Sequence, residues 1–167
     1  MVDLSMASVR QMTAADAAAL KSVRLASLED SPEAYSSTFD QEQAYSDELW
    51  TERAAGSSSA AMFVAHDDVG GPVGMVGAYQ PGQAGLVELV SMWTAPSARG
   101  AGVGRALVSA LLDWSCSAGA FEVQLWVMRG NDPAVGLYKR CGFVELADYD
   151  AAASDPCANE IRMSFRF

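Results

Sequence analysis

Arg99-Gly100-Ala101-Gly102-Val103-Gly104-Arg105 is the stretch on which the reading of this chain turns. It follows an apolar run, Leu86 to Thr94, and opens an amphipathic one, Val103 to about Ser117. In the second run Leu107, Val108, Leu111 and Leu112 recur at helical spacing. Another apolar run, Phe121 to Met128, comes next. Strand, helix, strand in this order predicts a parallel pair with a right-handed crossover. The alternating glycines free the turn for tight bending and for close approach of a ligand. Successive backbone N–H groups can form an anion-binding concavity, to which the helix start adds unpaired N–H groups and the positive end of its dipole. Arg99 and Arg105 bring positive charge, and the whole suits a pyrophosphate. A P-loop would need Gly-Lys-Ser/Thr, but Arg105 and Ala106 follow Gly104. A dinucleotide fingerprint would need a sixth-position glycine, and Arg105 or Leu107 stands there.

Outward from the turn, two helices are expected near the start. One runs from Thr13 to Glu29, with Leu20, Val23, Leu25 and Leu28 on its apolar side; the other runs from Ser46 to Ala55, anchored by Leu49 and Trp50. Met62 to His66 and Pro72 to Tyr79 flank turn chemistry and read as a hairpin. The segment 81–85 turns the chain into the third strand, Leu86 to Thr94. Later come a helix from Pro133 to Cys141, a short strand from Phe143 to Leu146, and a closing strand from Ile161 to Phe167. The expected fold is α/β (α+β): a mixed, mostly antiparallel sheet with a parallel pair at the phosphate turn, flanked by helices. Residues 1–167 read as a single domain.

A second segment, Asn131-Asp132-Pro133-Ala134-Val135-Gly136-Leu137-Tyr138-Lys139-Arg140-Cys141-Gly142-Phe143, is coherent in itself. Asn131 can cap the helix, Pro133 suits its first turn and Gly142 can end it. Asn131 and Tyr138 are seven apart and share one helix face. Together the two segments match the Arg/Gln-x-x-Gly-x-Gly/Ala and Asn-x-x-Ala-x-x-Leu-Tyr-x-x-x-Gly-Phe patterns of the GCN5-related N-acetyltransferase superfamily, and the chain resembles that family from Val9 to Phe167. The resemblance implies that Arg99, Gly100, Ala101, Gly102, Val103, Gly104 and Arg105 hold the pyrophosphate of acetyl-coenzyme A. It implies that Met92, Trp93 and Thr94 offer backbone groups to the pantetheine arm, and that Asn131 hydrogen-bonds that arm. The implied activity is acetyl transfer to an amine.

Tyr138 is the expected proton donor to the departing thiolate, since a neutral phenol of pKa ~10 is available for it; packing with its hydroxyl toward water is the alternative. The acceptor amine needs a base, because only about one molecule in a thousand of a lysine-like amine (pKa ~10.4) is free at pH 7. Glu88, an ionisable residue in an otherwise apolar strand, is the first candidate, and a structural pairing is its alternative. His66 is the second, and a water chain leading to a base the third. A covalent route through Cys141 or Cys116 is the more complicated reading.

By resemblance the loop after the first helix lines the acceptor side, where Glu33, Tyr35 and Phe39 could receive a cation on an apolar stem. From Leu25 to Glu52 there is no Lys or Arg. The net charge of -10 disfavours nucleic acid and favours a cationic substrate. Candidate acceptors are cationic small molecules or peptide N-termini. A peptide-directed N-terminal acetyltransferase and an acyl-CoA sensor without turnover are the rival readings. No apolar run approaches the ~20 residues that span a bilayer, and the start lacks a secretory pattern, so a cytoplasmic protein without a membrane is expected. Cys116, Cys141 and Cys157 fit no metal or disulfide spacing and are expected as reduced, mostly buried thiols; no metal is expected. A homodimer is a family habit that no residue demands.

Overall fold

The computed structural model describes residues 7–147 and 159–167. One seven-stranded sheet runs through it, in the order β1-β2-β3-β4-β5-β7-β6. The strands are β1 (Ser8–Gln11), β2 (Ala60–His66), β3 (Pro72–Tyr79), β4 (Leu86–Thr94), β5 (Glu122–Met128), β6 (Val144–Glu145) and β7 (Glu160–Arg166). Every neighbouring pair is antiparallel except β4 and β5. The helices are α1 (Ala17–Asp30), α2 (Phe39–Gln43), α3 (Asp47–Ala55), α4 (Val103–Ser117) and α5 (Asp132–Arg140). The mixed, mostly antiparallel sheet expected from sequence is therefore present. The spans of β3, β4 and α4 coincide with those read from the residues.

Alternation along the strands sends side chains to two cores. Phe63, Ala65, Val76, Val87, Leu89, Val123 and Leu125 meet Leu107, Val108 and Leu111 of α4. On the other face Val64, Met75 and Trp93 meet Leu20 and Val23 of α1 and Trp50 and Ala54 of α3. Val64, Met75 and Trp93 form one row across three strands, because Val64 pairs with Met75 and Met75 with Trp93. Each fully buried aliphatic side chain contributes about 1.5–3 kcal/mol.

Two elements were not expected from sequence. β1 is short, and three of its four residues are exposed, so it carries no hydrophobic pattern. α2 begins at Phe39, capped by Thr38 and Gln41 in a reciprocal pair. Leu49, expected as an anchor of α3, is exposed, whereas Trp50 is buried together with Ala54. Cys116 is likewise exposed on α4 rather than buried, and Cys141 is half-buried; both are free thiols. Cys157 lies outside the described residues.

The parallel pairing is brief. β4 and β5 bond only from Leu86 to Glu88 against Glu122 to Gln124, while β4 continues to Thr94 and β5 to Met128. Beyond Glu88 the two strands part, and the opening lies at the C-terminal ends of a parallel pair, where ligands of such sheets bind.

Candidate active site

The split between β4 and β5 opens into a cleft of about 880 Å³. Met92, Trp93 and Thr94 line it from β4, and Met128 from the end of β5. Gly100, Gly102, Val103, Gly104 and Arg105 line it from the turn into α4; Asn131, Ala134 and Leu137 line it from α5. Ser31, Glu33 and Tyr35, which follow α1, close the remaining side. Two segments far apart in sequence, the glycine turn and the Asn131 helix, thus face one space.

The turn has the backbone an anion needs. Gly100 and Gly102 take φ of 79° and 84°, in the left-handed region that favours glycine. Gly102 is the N-cap of α4 and supplies no side-chain cap, so the first N–H groups of a fifteen-residue helix remain for a ligand. Gly104 admits close approach of α5 and β4, since a Cβ there would stand 3.0 Å from Leu137 Cδ2 and 3.3 Å from Met92 Cε. These uncapped donors, with Arg105 and Arg140 on the cleft wall, fit the diphosphate of a coenzyme.

Arg99 is placed at the cleft but is already engaged. Its Nε donates to the Thr94 carbonyl at 3.0 Å, and its Nη2 meets Asp30 at 2.5 Å. Asp30 also accepts the Trp93 indole N–H at 2.9 Å. The indole, followed by Arg99, holds the Asp30 carboxyl below its ordinary value. The end of α1 is thereby tied to both the cleft floor and the phosphate turn. Asn131 caps α5 by accepting from Ala134 N–H at 3.4 Å, which leaves its side-chain N–H₂ for other use. Ala101 sits on the outside of the turn, exposed and away from the cleft lining.

Tyr138, the expected proton donor, does not line the cleft: it is buried in the α4-side core, its ring 5.8 Å from Phe143. Burial pushes its phenol well above its usual value, with a further upward push from Tyr35 and Cys141. Burial also raises the Cys141 thiol, which keeps it from being a thiolate nucleophile near neutral pH.

Glu88 does not line the cleft. It is the last β4 residue paired with β5, at the vertex of the split, on the sheet face opposite α4. Its carboxylate accepts a short hydrogen bond from the Tyr79 hydroxyl, and Tyr79 is its cross-strand partner in β3. That bond raises the Tyr79 phenol to about 12. Glu33 and Tyr35 are on the cleft wall, whereas Phe39 starts α2 away from it. His66 ends β2 against Ser8 and Pro72, outside the cleft. Among the described residues no group of three or more His, Cys, Asp or Glu could hold a metal ion.

Sequence reasoning missed a buried pair beside this site. Arg24 of α1 donates Nε and Nη2 to the two Glu42 oxygens at 2.9 and 2.7 Å, and Arg53 adds a contact at 3.2 Å. Burial alone would raise the Glu42 carboxyl, but the two arginines outweigh it and hold it below its ordinary value. Part of the acidic segment expected to face a cation is thus neutralised inside the protein.

Residues 24–143 match the model of the acetyltransferase (GNAT) family. The chain belongs to that family. A GCN5-related N-acetyltransferase from Kribbella flavida is similar over 97% of this chain and 98% of its own, with a TM-score of 0.73 and 25% identity. A PaiA N-acetyltransferase from Thermoplasma acidophilum, solved with coenzyme A, shares the fold at a TM-score of 0.72 and 19% identity, covering 96% and 98% of the two chains. The mycothiol acetyltransferase of Renibacterium salmoninarum is 33% identical over 51% of this GNAT chain and 25% of its own length. The match spans about a quarter of the length of the curated relatives.

Proposed function

We propose that this GNAT protein is an acetyl-CoA-dependent N-acetyltransferase acting on a primary amine, a cationic small molecule by preference. The observation that carries the reading is the uncapped, glycine-rich start of α4 opening onto the split between β4 and β5. Acetyl-coenzyme A supplies an activated thioester as acyl donor.

The N–H groups at the start of α4, with Arg105 and Arg140, would hold its diphosphate, and Asn131 with the backbone of Met92 to Thr94 would hold its arm. The same β4 backbone polarises the reacting carbonyl. Tyr138 keeps a proton on its phenol oxygen for the departing sulfur. The burial that raises this phenol keeps it protonated until the sulfur departs. Glu88, at the vertex of the split and steadied by Tyr79, takes the amine proton through water, since it does not line the cleft itself. Acid and base then stand on opposite faces of the sheet. Much of the acceleration comes from positioning. Glu33 and Tyr35 on the cleft rim and the net charge of -10 favour a cationic acceptor with an apolar stem.

The test is titration with coenzyme A, followed by thiol release from acetyl-CoA over a panel of polyamines, basic drugs and peptides. Turnover of a cationic small amine is the expected result. Turnover of peptide N-termini alone would move the acceptor class. Tight binding with no amine acetylated would favour a sensor, and no coenzyme binding would sink the reading.

A further inference from the structure

Strand β4 contains a frame shift. Val87 and Leu89 pack on the α4-side core, and plain alternation would place Ser91 and Trp93 there with them. Instead Met92 packs on that side, while Trp93 belongs to the α1-side core. The pairing with β3 records the same event: Gly77 faces Val90 and Met75 faces Trp93, so Val76 alone spans Ser91 and Met92. This is a β-bulge, with Ser91 as the extra residue. Ser91 has φ of 54°, the sole positive φ on a non-glycine residue among those described. Such a conformation costs about 1–3 kcal/mol and persists where the surroundings over-determine it.

Those surroundings are Arg24. Its third guanidinium nitrogen, Nη1, donates to Ser91 Oγ at 3.3 Å, while the other two grip Glu42. Arg24 and Glu42 are only 7% and 1% exposed, and the Tyr35 ring covers the guanidinium at 4.4 Å. The arginine therefore has a fixed position and offers a fixed donor to the bulge.

We propose that Arg24, locked by Glu42, is a positioning residue that holds the Ser91 bulge, and through it the Met92 backbone, in the geometry that polarises the thioester carbonyl. The proposal rests on the acetyl-transfer reading above. It gives the buried pair a role in turnover beyond its role in folding. It also joins the acceptor wall to the acyl site, since Tyr35 lines the cleft and lies on Arg24.

The decisive comparison is Ser91→Ala against Ser91→Gly. Alanine removes the hydroxyl and keeps the penalty of a positive φ; glycine removes the hydroxyl and the penalty together. Ser91→Ala is expected to lower kcat by about tenfold with the Kd for coenzyme A unchanged, whereas Ser91→Gly keeps near wild-type kcat. Arg24→Met with Glu42→Gln removes the pair without stranding a buried charge. Its kcat is expected to fall by about a hundredfold, the scale of a 1 Å misplacement, and adding Ser91→Gly should restore most of it.

A second readout needs no acceptor. The infrared carbonyl band of ¹³C-labelled acetyl-CoA, shifted down on binding to the wild type, should return toward its free position in Ser91→Ala. Loss of that shift supports the bulge's role even where no amine is acetylated, an outcome that would sink acetyl transfer itself. Wild-type kcat and an unmoved band in Ser91→Ala would overturn the proposal. So would a triple variant that glycine fails to restore.

Discussion

Tyr138 carries a hydroxyl on a side chain that is otherwise core, packed near Phe143 and pushed toward the neutral phenol by burial. Tyr138→Phe keeps the ring and its packing and removes one transferable proton. Its kcat should fall by about 10²–10⁴, with the Kd for coenzyme A unchanged by titration. Asp30 poses the opposite test, because its charge offsets that of Arg99 at the phosphate turn. Asp30→Asn still offers an oxygen to the Trp93 indole but frees the guanidinium. An exposed pair of this kind is worth roughly 0–1 kcal/mol. Coenzyme A should therefore bind more tightly by up to about fivefold, measured calorimetrically. The residues read from sequence, Asn131, Tyr138 and the run from Arg99 to Arg105, belong to continuous motifs whose spacing fixes their helix face. The residues missed have distant partners: Arg24 with Ser91 spans 67 positions, and Asp30 with Trp93 spans 63. Nothing local marks such pairs, and Glu42 looks like any other carboxylate in an acidic stretch.

Helix α4 and the strand before it make the proposed coenzyme site as elements. The helix has no cap of its own because Gly102 has no side chain to give. Its start is pressed against α5 and β4 at Gly104, so a side chain there wedges the walls of the cleft apart. Gly104→Val should weaken coenzyme A binding by about tenfold or more, and overpacking should cost about 1–3 kcal/mol of stability. Titration reads the first and thermal unfolding the second; unchanged affinity would mean that the turn can move without consequence. These elements were legible because a helical period and two strand periods adjoin glycine punctuation. The frame shift in β4 was not, since Val90-Ser91-Met92 looks like any partly apolar strand, and the exception becomes visible only when facing residues are known. Strand β1 was hidden for another reason: an exposed edge strand has no buried face to write a pattern.

At the scale of the whole molecule, charge acts in two ways that pH and salt separate. The net charge of -10 attracts cations at long range, and the proposed cationic amine would be drawn in by it. Raising ionic strength from ~0.01 to ~1 M shortens the Debye length from ~30 to ~3 Å, so kcat/KM for a polyamine should fall while that for a neutral amine stays level. Acid acts on local pairs instead. Asp16, bonded to Arg10 and the Thr13 N–H, has its carboxyl lowered, as do Asp30 and Glu42. A group whose folded pKa lies below its unfolded value of ~4 binds fewer protons in the native state. Its contribution is complete above that value and is lost as the pH falls through the folded one. Cooling the overall repulsion by partial neutralisation works the other way, because protonation toward the pI of about 4.4 removes excess negative charge. The two effects divide the acid range: Tm should hold level or rise slightly from pH 7 to about 5 and drop below about 4. Arg24→Met with Glu42→Gln should drop less steeply than the wild type below pH 4, since it has lost one lowered carboxyl. Parallel curves for the two proteins in thermal melts would show that Glu42 is not among the groups whose protonation unfolds the chain.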